Sequence, residues 1–267
     1  MLKDITLGQY FPGDTLIHNL DPRTKLIFTV TYIAALFICK DFVSYSLILI
    51  FLATIIYISR IGLKAIFRGM KPLIIIIVLS AFINLFFSQG EPIAEFWIFK
   101  ITAEGIKRSI FMILRIFMLI AGTFLLTYTT SPMSLTDGME LLLNPLKKIK
   151  VPVHEFAMMM SIALRFIPTL IEETDKIMSA QKARGADFDT GNLLQKARAM
   201  LPLLIPLFIS AFRRADELAI AMESRCYHGG EGRTRMKRLV MARRDYLALT
   251  VGFCLLAAVI TLRYFGL

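Results

Sequence analysis

Long apolar runs constrain this chain before any motif does. A membrane-spanning helix needs about 20 mostly apolar residues, within a range of roughly 17–25. Runs of that kind lie at Leu26–Cys39, Phe42–Ser59, Pro72–Ser88, Ser109–Thr130 and Tyr246–Leu262. The first is short, so its left edge is extended to Thr24; beyond Cys39 stand Lys40 and Asp41. Each is apolar on all sides of the helix, which suits a span better than a core helix. Hydrophobic residues make up 56% of the 267, where soluble domains reach about 45–50% with glycine counted. Yet the net charge is +11. An apolar, basic chain with these two properties segregated does not suit a soluble enzyme, a disordered tail or a secreted disulfide scaffold. The cysteines Cys39, Cys226 and Cys254 are scattered, and no disulfide or metal framework is expected from them.

Lys and Arg in short loops set orientation. The segment after the second run carries Arg60, Lys64, Arg68 and Lys71 and no acid, whereas Lys40 beside Asp41 is all that follows the first. This places the N-terminus and the Arg60–Lys71 loop in the cytoplasm and the Gln89–Arg108 loop outside. The polar stretch Met1–Asp21 does not read as a cleavable signal peptide. Arg115, deep in the fourth run, is expected to snorkel toward the outer surface. The domain organisation is then residues 1–128, four spans; 129–244, a charged cytoplasmic region; and 245–267, a C-terminal span. Residues 129–244 hold 18 of the 31 cations and 12 of the 20 acids.

Two segments of that region show helical periodicity. The first places Phe156, Met160, Leu164, Ile167, Leu170 and Ile171 on one face, with Glu172, Glu173, Asp175 and Lys176 off it. The second places Leu201, Leu204, Ile205, Phe208 and Phe212 on one face, with Arg213, Arg214, Asp216 and Glu217 off it. At 1.5 Å per residue each is roughly 45 Å long. Pro202 and Pro206 should bend the second, and Gly185–Asn192 reads as the turn between them. Their apolar surface exceeds what two helices hide between themselves. It either packs on the membrane interface or forms a docking surface for another membrane protein. The methionines Met158, Met159, Met160 and Met178 favour adaptable contacts. Met200–Phe212 suits an interfacial helix; were it paired with Phe156–Ile171 as a hairpin through the bilayer, Arg184 would face outside.

Chemistry of its own is not visible. There is no phosphate-binding loop, and Gly229-Gly230-Glu231-Gly232 reads as a helix stop. His18, His154 and His228 stand far apart and make no metal-binding pair. The spans carry almost no acids for an ion relay. Two arginines stand out instead: Arg184 between Ala183 and Gly185, and Arg225 between Ser224 and Cys226, each at the end of a long helix. Small neighbours let a helix tip enter a groove while the planar guanidinium grips a carboxylate or backbone carbonyls. A cation there also offsets the helix dipole, and Ala197-Arg198-Ala199 has the same local look early in the second helix.

The ordered series of motifs is far more specific than any triplet. It runs Gly8-Gln9-Tyr10-Phe11-Pro12-Gly13-Asp14, Leu20-Asp21-Pro22-Arg23 with Lys25, Thr130-Ser131-Pro132, Leu135-Thr136-Asp137-Gly138, Ala183-Arg184-Gly185-Ala186-Asp187-Phe188, Arg214-Ala215-Asp216-Glu217 and Glu223-Ser224-Arg225-Cys226-Tyr227. Over essentially its whole length the chain resembles the transmembrane T component of energy-coupling factor transporters, of the type shared by several substrate-binding components. Ser-Arg-Cys departs from that family's frequent Ala-Arg-Gly or Ala-Arg-Ala.

The resemblance implies an all-α integral membrane protein with about five spans and a coupling domain built on two long crossing amphipathic helices. It implies a non-catalytic subunit with no cofactor of its own, ATP and magnesium being bound by two partner ABC-type ATPases. It implies that Ala183, Arg184, Gly185, Ser224, Arg225 and Cys226 dock those ATPases. Met160, Ile167, Leu204 and Phe208 would contact an integral-membrane S component that binds a vitamin or other micronutrient. The setting would be the cell membrane, and no nucleic acid is involved. The alternatives are a self-contained secondary transporter, which calls for internal repeats or broken spans, and a membrane-embedded enzyme, which calls for a nucleophile–base pair. Neither feature is evident.

Overall fold

The computed structural model of the chain describes residues 10–87, 92–96, 99–186, 188, 192–229 and 239–266. Of the positions named above, Met1, Gly8, Gln9, Ser88, Gln89, Asp187, Gly230, Glu231 and Gly232 lie outside these. The described residues fold into helices α1 (Pro22–Ile38), α2 (Phe42–Ser59), α3 (Leu63–Met70), α4 (Ile74–Phe87), α5 (Ala103–Thr129), α6 (Pro132–Leu143), α7 (Val153–Ala183), α8 (Leu193–Glu223) and α9 (Arg243–Phe265). Between α4 and α5 lies a short antiparallel hairpin of β1 (Pro92–Phe96) and β2 (Phe99–Thr102), which the sequence reading did not anticipate. The helices separate into two compact units, residues 8–139 with 239–267 and residues 140–238.

In the first unit α1 packs along α9 and α5, and α4 packs chiefly on α5. Its core holds Tyr32, Leu36, Tyr45, Ile48, Met118 and Val259. Five described helical segments are long and apolar enough to cross a membrane: Phe42–Ser59, Leu63–Phe86, Ala103–Thr129, Val153–Ala183 and Arg243–Phe265. The number matches the sequence reading, but one member is exchanged. Helix α1 stops at 17 residues, roughly 26 Å, because Asp21 and Pro22 fix its start and its end precedes Lys40-Asp41. In its place stands α7, whose N-terminal half is apolar.

The start of α1 is a polar knot in an otherwise apolar unit. Asp21 caps the helix by accepting the Arg23 N–H at 2.9 Å, with Pro22 in the first turn, where its missing N–H costs nothing. The Arg23 guanidinium grips the same carboxylate through two bonds, at 3.2 and 3.1 Å, and donates to the Leu239 carbonyl at 2.9 Å. Asp245 in α9 accepts the Asp21 backbone N–H at 2.8 Å and the Ala242 N–H at 2.7 Å. Lys25 donates to the carbonyls of His18 and Thr129, at 3.0 and 2.8 Å, the latter at the C-terminal end of α5. Asp21, Lys25 and Asp245 are 6%, 6% and 2% exposed, so burial is tolerable only because two carboxylates balance two cations and their hydrogen bonds are filled. Gly138 of α6 closes on this knot: a Cβ there would stand 2.9 Å from that of Pro22.

Arg115 does not snorkel. Its Nε donates to the Tyr45 hydroxyl at 2.8 Å and its Nη2 to the Cys39 carbonyl, where α1 ends, at 3.0 Å. In an environment without water the end of a helix needs an internal donor, and Arg115 supplies one. Before α1, His18 Nε2 lies 3.1 Å from the Phe11 carbonyl and Nδ1 lies 2.6 Å from the Thr15 hydroxyl. Burial lowers the His18 pKa, with the Phe11 carbonyl opposing, which suits a neutral ring donating from Nε2 and accepting at Nδ1.

In the second unit α7 and α8 pack antiparallel. Glu173 of α7 accepts from the Ser210 hydroxyl and pairs with Arg214 of α8 at 3.2 Å, while the Tyr227 hydroxyl just past α8 reaches the Met158 sulfur near the start of α7 at 3.1 Å. These partners sum to nearly the same number, as an antiparallel pair requires. The residues placed off both apolar faces therefore meet each other, and much of the apolar surface faces outward.

Replacing Asp245 with Ala leaves the Asp21 and Ala242 N–H groups without their acceptor. The expected cost is on the order of 3 kcal/mol, read as a lowered thermal unfolding midpoint in detergent. An unchanged midpoint would show that the knot contributes no stability.

Candidate functional site

The two arginine triplets are built alike. At the end of α7, the Gly185 N–H bonds to the Lys182 carbonyl and the Ala186 N–H to that of Gln181, both at 3.0 Å. This pair is the Schellman motif, which turns the chain through one left-handed residue. That residue is Gly185, at φ +87°. At the end of α8, the Cys226 N–H bonds to the Glu223 carbonyl at 2.9 Å and the Tyr227 N–H to that of Met222 at 3.1 Å. The left-handed residue here is Cys226, at φ +58°. By hydrogen-bond pattern Arg184 and Arg225 occupy the same position, the last residue before the reversal. Both side chains are exposed, as are Ala183 and Ser224. Arg198 lies inside α8 with no such turn after it, so the matching triplet there is only a resemblance of letters.

The departure from Ala-Arg-Gly is therefore conformational. A left-handed backbone costs a residue with a Cβ about 1–2 kcal/mol, which Gly185 avoids and Cys226 does not.

The two arginines sit at opposite ends of the helix pair. Arg225 lines a cleft of about 720 Å³ with Met158, Ile162, Arg165, Cys226 and Tyr227, beside the N-terminal half of α7, whereas Arg184 ends that helix. The helix between Ile162 and Arg184 measures roughly 33 Å. Arg165 doubles the positive charge of this cleft, and the sequence reading missed it. The available signal was its isolation, a single cation between Glu155 and Glu172.

Of the four residues expected to contact a membrane partner, Met160, Leu204 and Phe208 are exposed and Ile167 is partly buried. Leu204 and Phe208 line one groove on α8 with Ile205, Ile209 and Phe212, edged by Arg213 and Asp216. Met160 and Ile167 lie on α7, outside that groove.

Five described helices long and apolar enough to cross a membrane define a multi-pass membrane protein. A family model described as cobalt transport protein, CbiQ, matches residues 13–236. Proteins named energy-coupling factor transporter transmembrane protein EcfT are similar throughout. The one from Thermosediminibacter oceani is 57% identical over 247 residues, covering 92% of this chain and 93% of the relative. The one from Ruminiclostridium cellulolyticum is 52% identical over 264 residues, covering 99% of each. The one from Bacillus subtilis is 46% identical over 261 residues, covering 97% and 98%. The chain belongs to this family of energy-coupling factor transporter transmembrane components.

The cap geometry makes opposite predictions for the two triplets. Gly185→Ala should loosen the end of α7 by about 1 kcal/mol, and Cys226→Gly should tighten the end of α8 by a similar amount. Hydrogen exchange at the amides of residues 185–186 and 226–227 reads both; movement in the same direction would refute the shared geometry.

Proposed function

We propose that this chain is the scaffold and coupling subunit of an energy-coupling factor importer, carrying motion from two ABC-type ATPases to a membrane-embedded S component that binds a vitamin or other micronutrient. The observation that carries this reading is the pair of identically capped arginines at opposite ends of one antiparallel helix pair. Each of two ATPase subunits offers a groove to one helix end, and Arg184 or Arg225 grips a carboxylate or backbone carbonyls inside it. The roughly 33 Å of α7 between Ile162, in the Arg225 cleft, and Arg184 suits two separate partners better than one. In the second groove Arg165 strengthens the field around Arg225. The chain does no phosphoryl chemistry in this scheme; ATP and magnesium belong to the ATPases.

The outward apolar surface is the other half of the mechanism. Because Glu173, Ser210 and Arg214 hold the helices together, the stripe through Leu204 and Phe208 remains for a partner. With Met160 and Ile167 it forms the S-component contact. A change in the separation of the two ATPases alters the angle between α7 and α8, and the stripes they carry move the S component with them.

Both arginines reach ATPases only if both face the cytoplasm, so the helix pair lies along the membrane surface. Helix α7 has the length and apolarity of a span, but its partner α8 is not among the helices that do. Helix α1 is then the first span, short but sheltered by α5 and α9, in a cell membrane with the N-terminus cytoplasmic.

Combining Arg184→Glu with Arg225→Glu should abolish substrate uptake and copurification of ATPases while leaving membrane insertion intact. Normal uptake at normal expression would overturn the docking role. Orientation has its own measurement. With Cys39 and Cys254 replaced by Ser, native Cys226 and a cysteine introduced at Ala183 should both react with an impermeant maleimide from the cytoplasmic side. Reaction of one from each side would make α7–α8 a hairpin through the bilayer.

A further inference from the structure

Helix α3 carries a feature the coupling scheme does not use. From Phe42 to Gly90 the sequence holds four cations, Arg60, Lys64, Arg68 and Lys71, and no acid. Three sectors run along the helix. Ile66 and Met70 are buried against the rest of the unit. One turn-face over, Leu63 and Phe67, four residues apart, are exposed at 59% and 58%. The next sector carries Lys64, Arg68 and Lys71 at i, i+4 and i+7, all exposed, and none forms an ion pair among the described residues. Arg60 precedes the helix and shares a cleft with Asp14, so it stands at the edge of the charge cluster.

The helix is held firmly. The Tyr128 hydroxyl donates to the Ala65 carbonyl at 3.2 Å, and a Cβ on Gly69 would stand 2.6 Å from the Phe124 ring, so α3 lies flush on the end of α5. After a single turn at Lys71–Leu73 the chain enters α4, whose Ile74, Ile75, Val78 and Leu79 are exposed on an apolar surface suited to lipid tails. Apolar and cationic sectors side by side, continuous with a lipid-facing helix, are the signature of a helix lying at the level of the headgroups.

We propose that α3 is a binding site for an anionic phospholipid, whose phosphodiester meets Lys64, Arg68 and Lys71 while its acyl chains lie along Leu63, Phe67 and α4. A zwitterionic lipid supplies the same tails but cancels the charge, so the site discriminates by headgroup. The leaflet follows from the orientation above; the binding itself does not depend on it.

Native mass spectrometry of the full chain in detergent, with phosphatidylglycerol or phosphatidylcholine added, tests this directly. The wild-type chain should retain phosphatidylglycerol in preference. The combined Lys64→Gln, Arg68→Gln and Lys71→Gln variant should bind it on the order of 100-fold more weakly. A variant with Lys64→Arg, Arg68→Lys and Lys71→Arg should keep the preference, as should Lys147→Gln with Lys148→Gln and Lys150→Gln. Unchanged helicity and thermal midpoint check the fold of each. Equal retention of the two lipids by the wild-type chain, or undiminished binding by the glutamine variant, would overturn the site. So would displacement by inorganic phosphate, which has no tails, or retained lipid with loss of a copurifying acidic protein. Labelling of Lys64→Cys from outside would reverse the orientation and leave lipid binding standing.

Discussion

A buried charge knot joins the ends of α1, α5 and α9 in the first unit. A carboxylate or ammonium in an apolar setting is destabilising by several kcal/mol unless fully paired. Arg23 pairs directly with Asp21, and the side chains of Asp21, Arg23, Lys25 and Asp245 together bond six backbone groups. The bonds join segments far apart in sequence, so the knot forms only when these helix ends are together. It also fixes where the chain leaves α5, since Lys25 holds the Thr129 carbonyl just before α6 begins. The Asp-Pro-Arg-Thr-Lys segment is thus a helix start and a three-way joint in five residues.

The helix pair of the second unit inverts the usual arrangement. Amphipathic helices ordinarily bury their apolar faces against each other, yet here a carboxylate, a hydroxyl and a guanidinium lie between α7 and α8. Directional bonds at Glu173 set the register of the pair, and the apolar stripe of α8 is left outside. A soluble protein with such a surface would aggregate. In a membrane protein the same surface has lipid available to it, and the methionines on α7 add soft, adaptable apolar area.

Much of this was legible beforehand, for identifiable reasons. Runs such as Phe42–Ser59 announce themselves because a bilayer accepts little else. The arginine triplets were visible because small residues flank a cation at the end of a periodic stretch. What escaped were features that depend on a second strand of chain. Arg115 read as a snorkelling cation because its partners, Tyr45 and the Cys39 carbonyl, are some 70 residues away. Arg165 carried no motif and became notable only when α8 brought Arg225 beside it. The cysteine of Ser-Arg-Cys read only as a departure from the family's triplet, whereas its left-handed backbone is what sets it apart.

The sequence by itself determined that this chain lives in a membrane, that its charge is gathered in one region, and to which family it is akin. Those properties are local or additive: hydrophobicity sums along a run, and motifs keep their order whatever the chain does in space. Tertiary structure alone decided that polar residues hold α7 to α8, that Arg115 reaches Tyr45 and the end of α1, and that Arg165 and Arg225 share one cleft. Each of these depends on a hydrogen bond or a close approach between distant segments, and no reading along a single chain contains that geometry.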